Sequence, residues 1–65
     1  MYRQQDIRYA LYTDMTGKLT WITFHSRRAA LKAEGSVTEP GTSRKIGGWE
    51  GILTYRQMFK RGLLK

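Results

Sequence analysis

Two stretches near the N-terminus alternate apolar and polar side chains with the two-residue period of a β-strand. They cover residues 7–14 and 18–25, and both are rich in the β-branched and aromatic residues that favour strands. Three residues, Met15-Thr16-Gly17, separate them. We therefore predict two antiparallel strands joined by a tight turn, in which Gly17 adopts the left-handed conformation that glycine tolerates without steric cost.

This turn sets a register in which Leu11 lies opposite Trp21 and Arg8 lies opposite Phe24. Both faces of the hairpin then carry apolar side chains, so either both faces are covered, which we favour, or one is left as a binding surface. The C-terminal segment has enough apolar side chains for one face, and the short helix that follows the hairpin covers little of either. We therefore expect part of the sheet to remain uncovered as a working surface.

A short helix and a long loop are predicted after the hairpin. Residues 27–34 contain good helix formers between an N-capping residue, Ser26, and a helix-ending glycine, Gly35. Residues 36–48 are rich in glycine, serine and threonine and contain the single proline, which is typical of an irregular loop. Because loops longer than about 12 residues are often functional or disordered, we predict that this one is mobile.

The C-terminal segment allows two interpretations. It has an acidic residue near its start and basic residues near its end, which suits the helix dipole, so we predict a helix over 49–61. The alternative is a third strand over 49–55. The predicted fold is a small single α+β domain over residues 1–65 with the order β-β-α-α, and the third strand is kept as the alternative.

Length and composition narrow the class of protein. A chain of 65 residues forms one small domain with a marginal core. It contains no cysteine, so it has neither disulfides nor thiolate metal ligands. No apolar run approaches the roughly 20 residues of a membrane span. We therefore expect a cytoplasmic protein that does not interact with membranes.

Side chains for catalysis are scarce. His25 is the single histidine, so no histidine pair is available to bind a metal ion. The five carboxylates are scattered, which leaves no pair for general acid–base chemistry. We predict that the protein is not an enzyme and that it uses no metal and no cofactor.

Positive charge is the main functional signal. Twelve Lys and Arg residues stand against five Asp and Glu, which gives a net charge of +7 and favours binding to polyanions. Arg27 and Arg28 lie in the first turn of the predicted helix, where the dipole disfavours cations, so we interpret them with Ser26 as a phosphate clamp. We predict a small nucleic-acid-binding protein, with DNA favoured over RNA, that contacts phosphates through Arg8, Lys18, Ser26, Arg27, Arg28, Arg44 and Lys45. Its size and charge suggest an accessory or regulatory protein of a phage or mobile element.

The order of the hairpin and helix signals adds a resemblance. The signals are Tyr12-Thr13-Asp14, then Gly17-Lys18, then Thr23-Phe24-His25-Ser26-Arg27-Arg28-Ala29-Ala30. They resemble the arm-binding domain at the N-terminus of phage-type tyrosine recombinases, which uses its sheet to enter the DNA major groove. The resemblance covers less than half of the chain, and that family has three strands before the helix where this pattern predicts two. It implies DNA binding and no recombinase activity.

A second hypothesis belongs to a different class of function. The chain is then a protein-interaction module, for example an inhibitor that binds an acidic host protein through an apolar sheet face or the C-terminal helix. The residues that would make this contact are Trp49, Tyr55, Arg56 and Phe59. A homo-oligomer is kept as a further alternative.

Overall fold

Three strands and two helices follow a short 3-10 turn along the chain. The computed structural model describes residues 4–64. In chain order the elements are the 3-10 turn Gln4–Asp6, strands β1 (Arg8–Thr13) and β2 (Leu19–Phe24), helix α1 (Arg27–Ala33), strand β3 (Gly51–Thr54) and helix α2 (Tyr55–Lys60). The strands form one antiparallel sheet in the order β2-β1-β3, so the predicted α+β class is confirmed. Neither helix in the described range has the length and apolar character needed to cross a membrane.

The C-terminal segment divides into a strand and a helix. The helix predicted over 49–61 begins later than expected, at Tyr55, and the alternative third strand is present as β3. The reason is long-range: β3 pairs with the edge of β1 that the hairpin leaves free. A capping box then starts α2, because the Thr54 hydroxyl accepts from the N–H of Gln57 at 3.2 Å and the Gln57 side chain accepts from the N–H of Thr54 at 2.9 Å.

The hairpin has the predicted register and turn. Leu11 of β1 pairs with Trp21 of β2, and Gly17 has a positive φ of 84°. The Asp14 carboxylate accepts hydrogen bonds from both the hydroxyl and the backbone N–H of Thr16, at 2.6 and 2.9 Å. These bonds hold the turn, and the Thr16 hydroxyl is the main cause that lowers the pKa of Asp14 below its usual value.

The first face of the sheet is covered by α2. Tyr9 and Leu11 of β1 lie on this face with Leu53 of β3, and Met58 of α2 packs on them. Met58 is completely buried. The partly buried apolar side chains that extend this core are Ile7, Trp21, Tyr55, Leu63 and Leu64.

The second face of the sheet is also covered, which agrees with the favoured alternative of two covered faces and corrects the expectation of an uncovered working surface. Ala10 and Tyr12, the alternate residues of β1, are both buried. Helix α1 contributes the fully buried Ala30, and Trp49 packs against Tyr12. The expectation was wrong because a small alanine side chain lets α1 approach closely and Trp49 supplies the remaining bulk.

The segment 36–48 folds back on itself. Thr38 forms an isolated antiparallel bridge with Lys45, and the Ile46 N–H donates a hydrogen bond of 2.8 Å to the Val37 carbonyl. Ile46 is only 3% exposed, so the segment has an apolar anchor. The mobility of this segment stays a prediction.

Trp49 joins α1 to the sheet. Its ring centroid lies 6.2 Å from that of Tyr12 and 5.8 Å from that of Phe24. Its Nε1 donates a hydrogen bond of 2.8 Å to the Ala30 carbonyl, one of the last four carbonyls of α1, which lack intrahelical donors. Its backbone N–H donates to the Glu34 carboxylate at 2.9 Å, so Trp49 is held at both its ring and its backbone.

We predict that Trp49→Phe lowers the free energy of unfolding by about 1–2 kcal/mol, because the Ala30 carbonyl loses its donor. Urea denaturation followed by circular dichroism measures this. Trp21→Phe is the matched control, since the indole N–H of Trp21 donates to no described residue, and it should cost less. Equal losses in the two variants would show that the hydrogen bond contributes nothing.

Candidate functional site

Both helices begin at the same end of the sheet. Arg8, at the start of β1, pairs on one side with Phe24 at the end of β2 and on the other with Thr54 at the end of β3. Neighbouring strands lie about 4.8 Å apart, so the Cα atoms of Phe24 and Thr54 are about 10 Å apart. We call this edge the helix-start end, and we call the opposite edge, with the hairpin turn at 14–18, the turn end.

Four arginines gather at the helix-start end. Arg27 and Arg28 open α1, Arg56 lies in the first turn of α2, and Arg8 lies between them in β1. The three helical arginines are exposed. The Arg8 side chain is half-buried and fixed, because its Nη1 donates to the Gln5 carbonyl at 2.7 Å. Neither helix has an acidic residue in its first turn, and Asp6, two residues before Arg8, is the carboxylate nearest this end.

Ser26 caps α1 beside these arginines. Its hydroxyl oxygen accepts a hydrogen bond from the Ala29 N–H at 3.1 Å, which is the predicted N-cap contact. Part of its hydrogen-bonding capacity is therefore used inside the protein. Ser26, Arg27 and Arg28 are contiguous at the helix-start end, and their contact with phosphate stays a prediction.

The remaining predicted contacts lie toward the turn end. Lys18 closes the hairpin turn, and Lys45 follows Arg44 in the segment 36–48. The Arg44 Nη2 reaches the Thr13 carbonyl at 3.1 Å, which brings this segment against the end of β1. Five residue steps of β1 separate the two ends by about 17 Å. The predicted residues therefore form two separate groups, with Arg8, Ser26, Arg27 and Arg28 in one and Lys18, Arg44 and Lys45 in the other.

Four carboxylates are engaged within the fold, at the turn end and at the end of α1. These acceptors are Asp14, Glu34, Glu39 and Glu50, and their donors are, in the same order, Thr16, Trp49, Arg44 and Thr13. Glu39 is the most buried of them, at 5% exposure, and its ion pair with the Arg44 Nε is 3.0 Å long. The hydrogen bond from Arg44 lowers the pKa of Glu39 below its ordinary value of 4.5. These acids therefore hold local structure together.

Most of the cations, in contrast, lack a carboxylate partner. Among residues 4–64 the only ion pair is the one between Arg44 and Glu39. The exposed Lys and Arg residues that form no ion pair within this range are Lys18, Arg27, Arg28, Lys32, Lys45, Arg56, Lys60 and Arg61. The protein therefore presents uncompensated positive charge, and the helix starts carry the largest share of the predicted contacts.

The outer surface of α2 brings together three of the four residues proposed for a protein partner. Tyr55, Arg56 and Phe59 line one shallow depression with Lys60. Trp49, the fourth residue, lies on the opposite face of the sheet. The sequence prediction did not include Lys60 in this group, although its four-residue spacing from Arg56 places both on one side of a helix.

Comparisons of the chain with known protein families, curated proteins and solved structures found no match. Within the described part of the chain, no three histidine, aspartate or glutamate side chains converge in a way that could hold a metal ion. The charge distribution and the aromatic rings of α2 are the features of the described residues that bear on function.

We predict that Arg44→Ala lowers the urea midpoint of unfolding near pH 7, because it leaves the buried Glu39 carboxylate without its cation. The neighbouring Lys45→Ala removes the same charge from an exposed side chain and should leave the midpoint almost unchanged.

The pH dependence of the difference in urea midpoint between Arg44→Ala and the unsubstituted protein tests whether the ion pair causes it. Glu39 has a lowered pKa in the folded protein, so its ionised form contributes stability above about pH 4.5, and this contribution is lost as the pH falls through the lowered value. The gap between Arg44→Ala and the unsubstituted protein should therefore shrink at about pH 3. A gap of the same size at both pH values would contradict the role given to the ion pair.

Proposed function

We propose that this protein is a small non-catalytic nucleic-acid-binding protein that contacts the phosphate backbone. The observation that carries the proposal is a difference between the acidic and the basic side chains. Glu39 and three other carboxylates are engaged within the fold, whereas eight exposed cations have no ion-pair partner among residues 4–64. Phosphates are the ligands that such a surface attracts most strongly.

The helix-start end is the strongest part of this surface. Arg27 and Arg28 extend from α1 and Arg56 extends from α2. All three are exposed and lie at the same end of the sheet, on helices that cover opposite faces. A nucleic acid lying across this end meets cations from both helices. The turn end is weaker, because Lys18 lies close to the Asp14 carboxylate, which interacts with it electrostatically.

This mode of contact differs from the one that the recombinase resemblance implies. In that family the sheet itself enters the major groove, which needs one uncovered sheet face. Here α1 with Trp49 covers one face and α2 covers the other. We therefore assign binding to the exposed arginines at the helix starts. In this mode the strands do not read the base sequence.

The salt dependence of binding tests the proposal. We expect the protein to bind fluorescently labelled DNA, with affinity falling steeply as the salt concentration rises. The double variant Arg27→Ala plus Arg28→Ala should reduce the slope of log affinity against log salt by up to about two, because two phosphate contacts are lost. Fluorescence anisotropy over a salt series measures both quantities.

A charge-matched variant provides the control. Lys18→Ala plus Lys45→Ala removes the same two charges from the turn end and should change the slope less. Absence of binding at low salt would refute the proposed function. Equal changes in the two double variants would refute its assignment to the helix-start end.

A further inference from the structure

The outer surface of α2 carries two aromatic rings in contact. The ring centroids of Tyr55 and Phe59 are 6.2 Å apart, and their planes differ by only 25°. Tyr55 also packs against the core formed by Met58 and its neighbours, so its ring is fixed. Phe59 stacks beside this ring, so the two near-parallel rings form an aromatic pair on the outer surface of α2.

Phe59 is, with Met15, Leu19 and Leu31, one of four large apolar side chains that are exposed in the described part of the chain. It is 55% exposed, although a domain of 65 residues has few large apolar side chains with which to build a core. Met58, its neighbour in α2, is completely buried and contacts the core, whereas Phe59 points outward. Leaving a phenylalanine in water is unfavourable, and a ligand that covers the ring removes this cost.

Cations flank the two rings. Arg56 and Lys60 line the same depression as Tyr55 and Phe59. A second depression, lined by Gln5, Thr54, Tyr55 and Arg56, lies where α2 begins and so leads to the helix-start end. No carboxylate is among the described residues that line either depression.

We propose that Tyr55 and Phe59 form a stacking surface for an unpaired base, so that this protein binds a single strand in preference to a duplex. Arg56 and Lys60 bind the phosphates that flank the stacked base. This inference rests on the proposed function, and it adds the class of nucleic acid. Each nucleotide of a single strand offers one accessible base and one phosphate. This matches the order of rings and cations along α2, where Arg56 follows Tyr55 and Lys60 follows Phe59. In a duplex the bases stack on each other, and their faces are not available.

Binding of two DNA probes to three Phe59 variants tests this inference. The probes are a labelled oligothymidylate of about 12 nucleotides and a duplex of the same length. Phe59→Ala and Phe59→Leu should weaken oligothymidylate binding about tenfold and leave duplex binding and the salt slope unchanged, because stacking involves no counterion release. Phe59→Trp keeps a flat ring and should retain the affinity. Leu31→Ala, at a 45% exposed position of α1, is the matched control and should change nothing.

Several results would overturn the inference while leaving the proposed function intact. One is that Phe59→Ala weakens the binding of both probes equally or of neither, while the Arg27→Ala plus Arg28→Ala variant still weakens the binding of both. Another is that Phe59→Leu binds oligothymidylate as well as the unsubstituted protein, which would mean that only apolar contact matters. A third is that Phe59→Ala abolishes self-association in sedimentation and leaves oligothymidylate binding unchanged, which would assign the rings to a second copy of the chain. If the unsubstituted protein binds neither probe at low salt, the proposed function itself is wrong.

Discussion

β1, the central strand, has apolar side chains on both faces, and the architecture follows from the need to cover each face. Tyr9 and Leu11 need one cover, and Ala10 and Tyr12 need another on the opposite side. α1 and α2 each have seven residues or fewer, well below the roughly 12–15 residues at which isolated helices become marginally stable. They therefore depend on the sheet as much as the sheet depends on them. Trp49 makes this dependence specific on one side, because its single side chain contacts both α1 and two strands.

The double cover also determines how charge is distributed. Because both faces of β1 are buried, a partner reaches the outer surfaces of the helices, the exposed side chains of the segment 36–48, and the edges and ends of the sheet. The carboxylates near the turn end accept hydrogen bonds that hold the turn, the folded-back segment and Trp49. The cations are left outside, and pairing of Arg8 with both outer strands brings the two helix starts together. Exposed cations without an ion-pair partner therefore lie at both ends of the sheet, and the exposed arginines among them lie at the helix-start end and at the end of α2.

Local patterns were sufficient for the first half of the fold. Alternation and the Gly17 turn predicted the hairpin register, and Ser26 predicted the start of α1. The boundary between β3 and α2 depends on the free edge of β1, which is distant in sequence, so the segment 49–61 was ambiguous. The prediction of one helix grouped Trp49 with Phe59 in a single contact surface, whereas the formation of β3 places Trp49 on the opposite face of the sheet. Composition gives the net charge, but the division of the predicted contact residues between the two ends of the sheet depends on strand pairing.

The most direct test of the account is an NMR titration of the isotope-labelled protein with a short oligothymidylate. The account predicts that the largest changes in amide chemical shift occur at the helix-start end and on the outer surface of α2, at Arg28, Arg56 and Phe59. It predicts small changes at Lys18 and Lys45. Changes confined to those two lysines, or no changes at low salt, would contradict it.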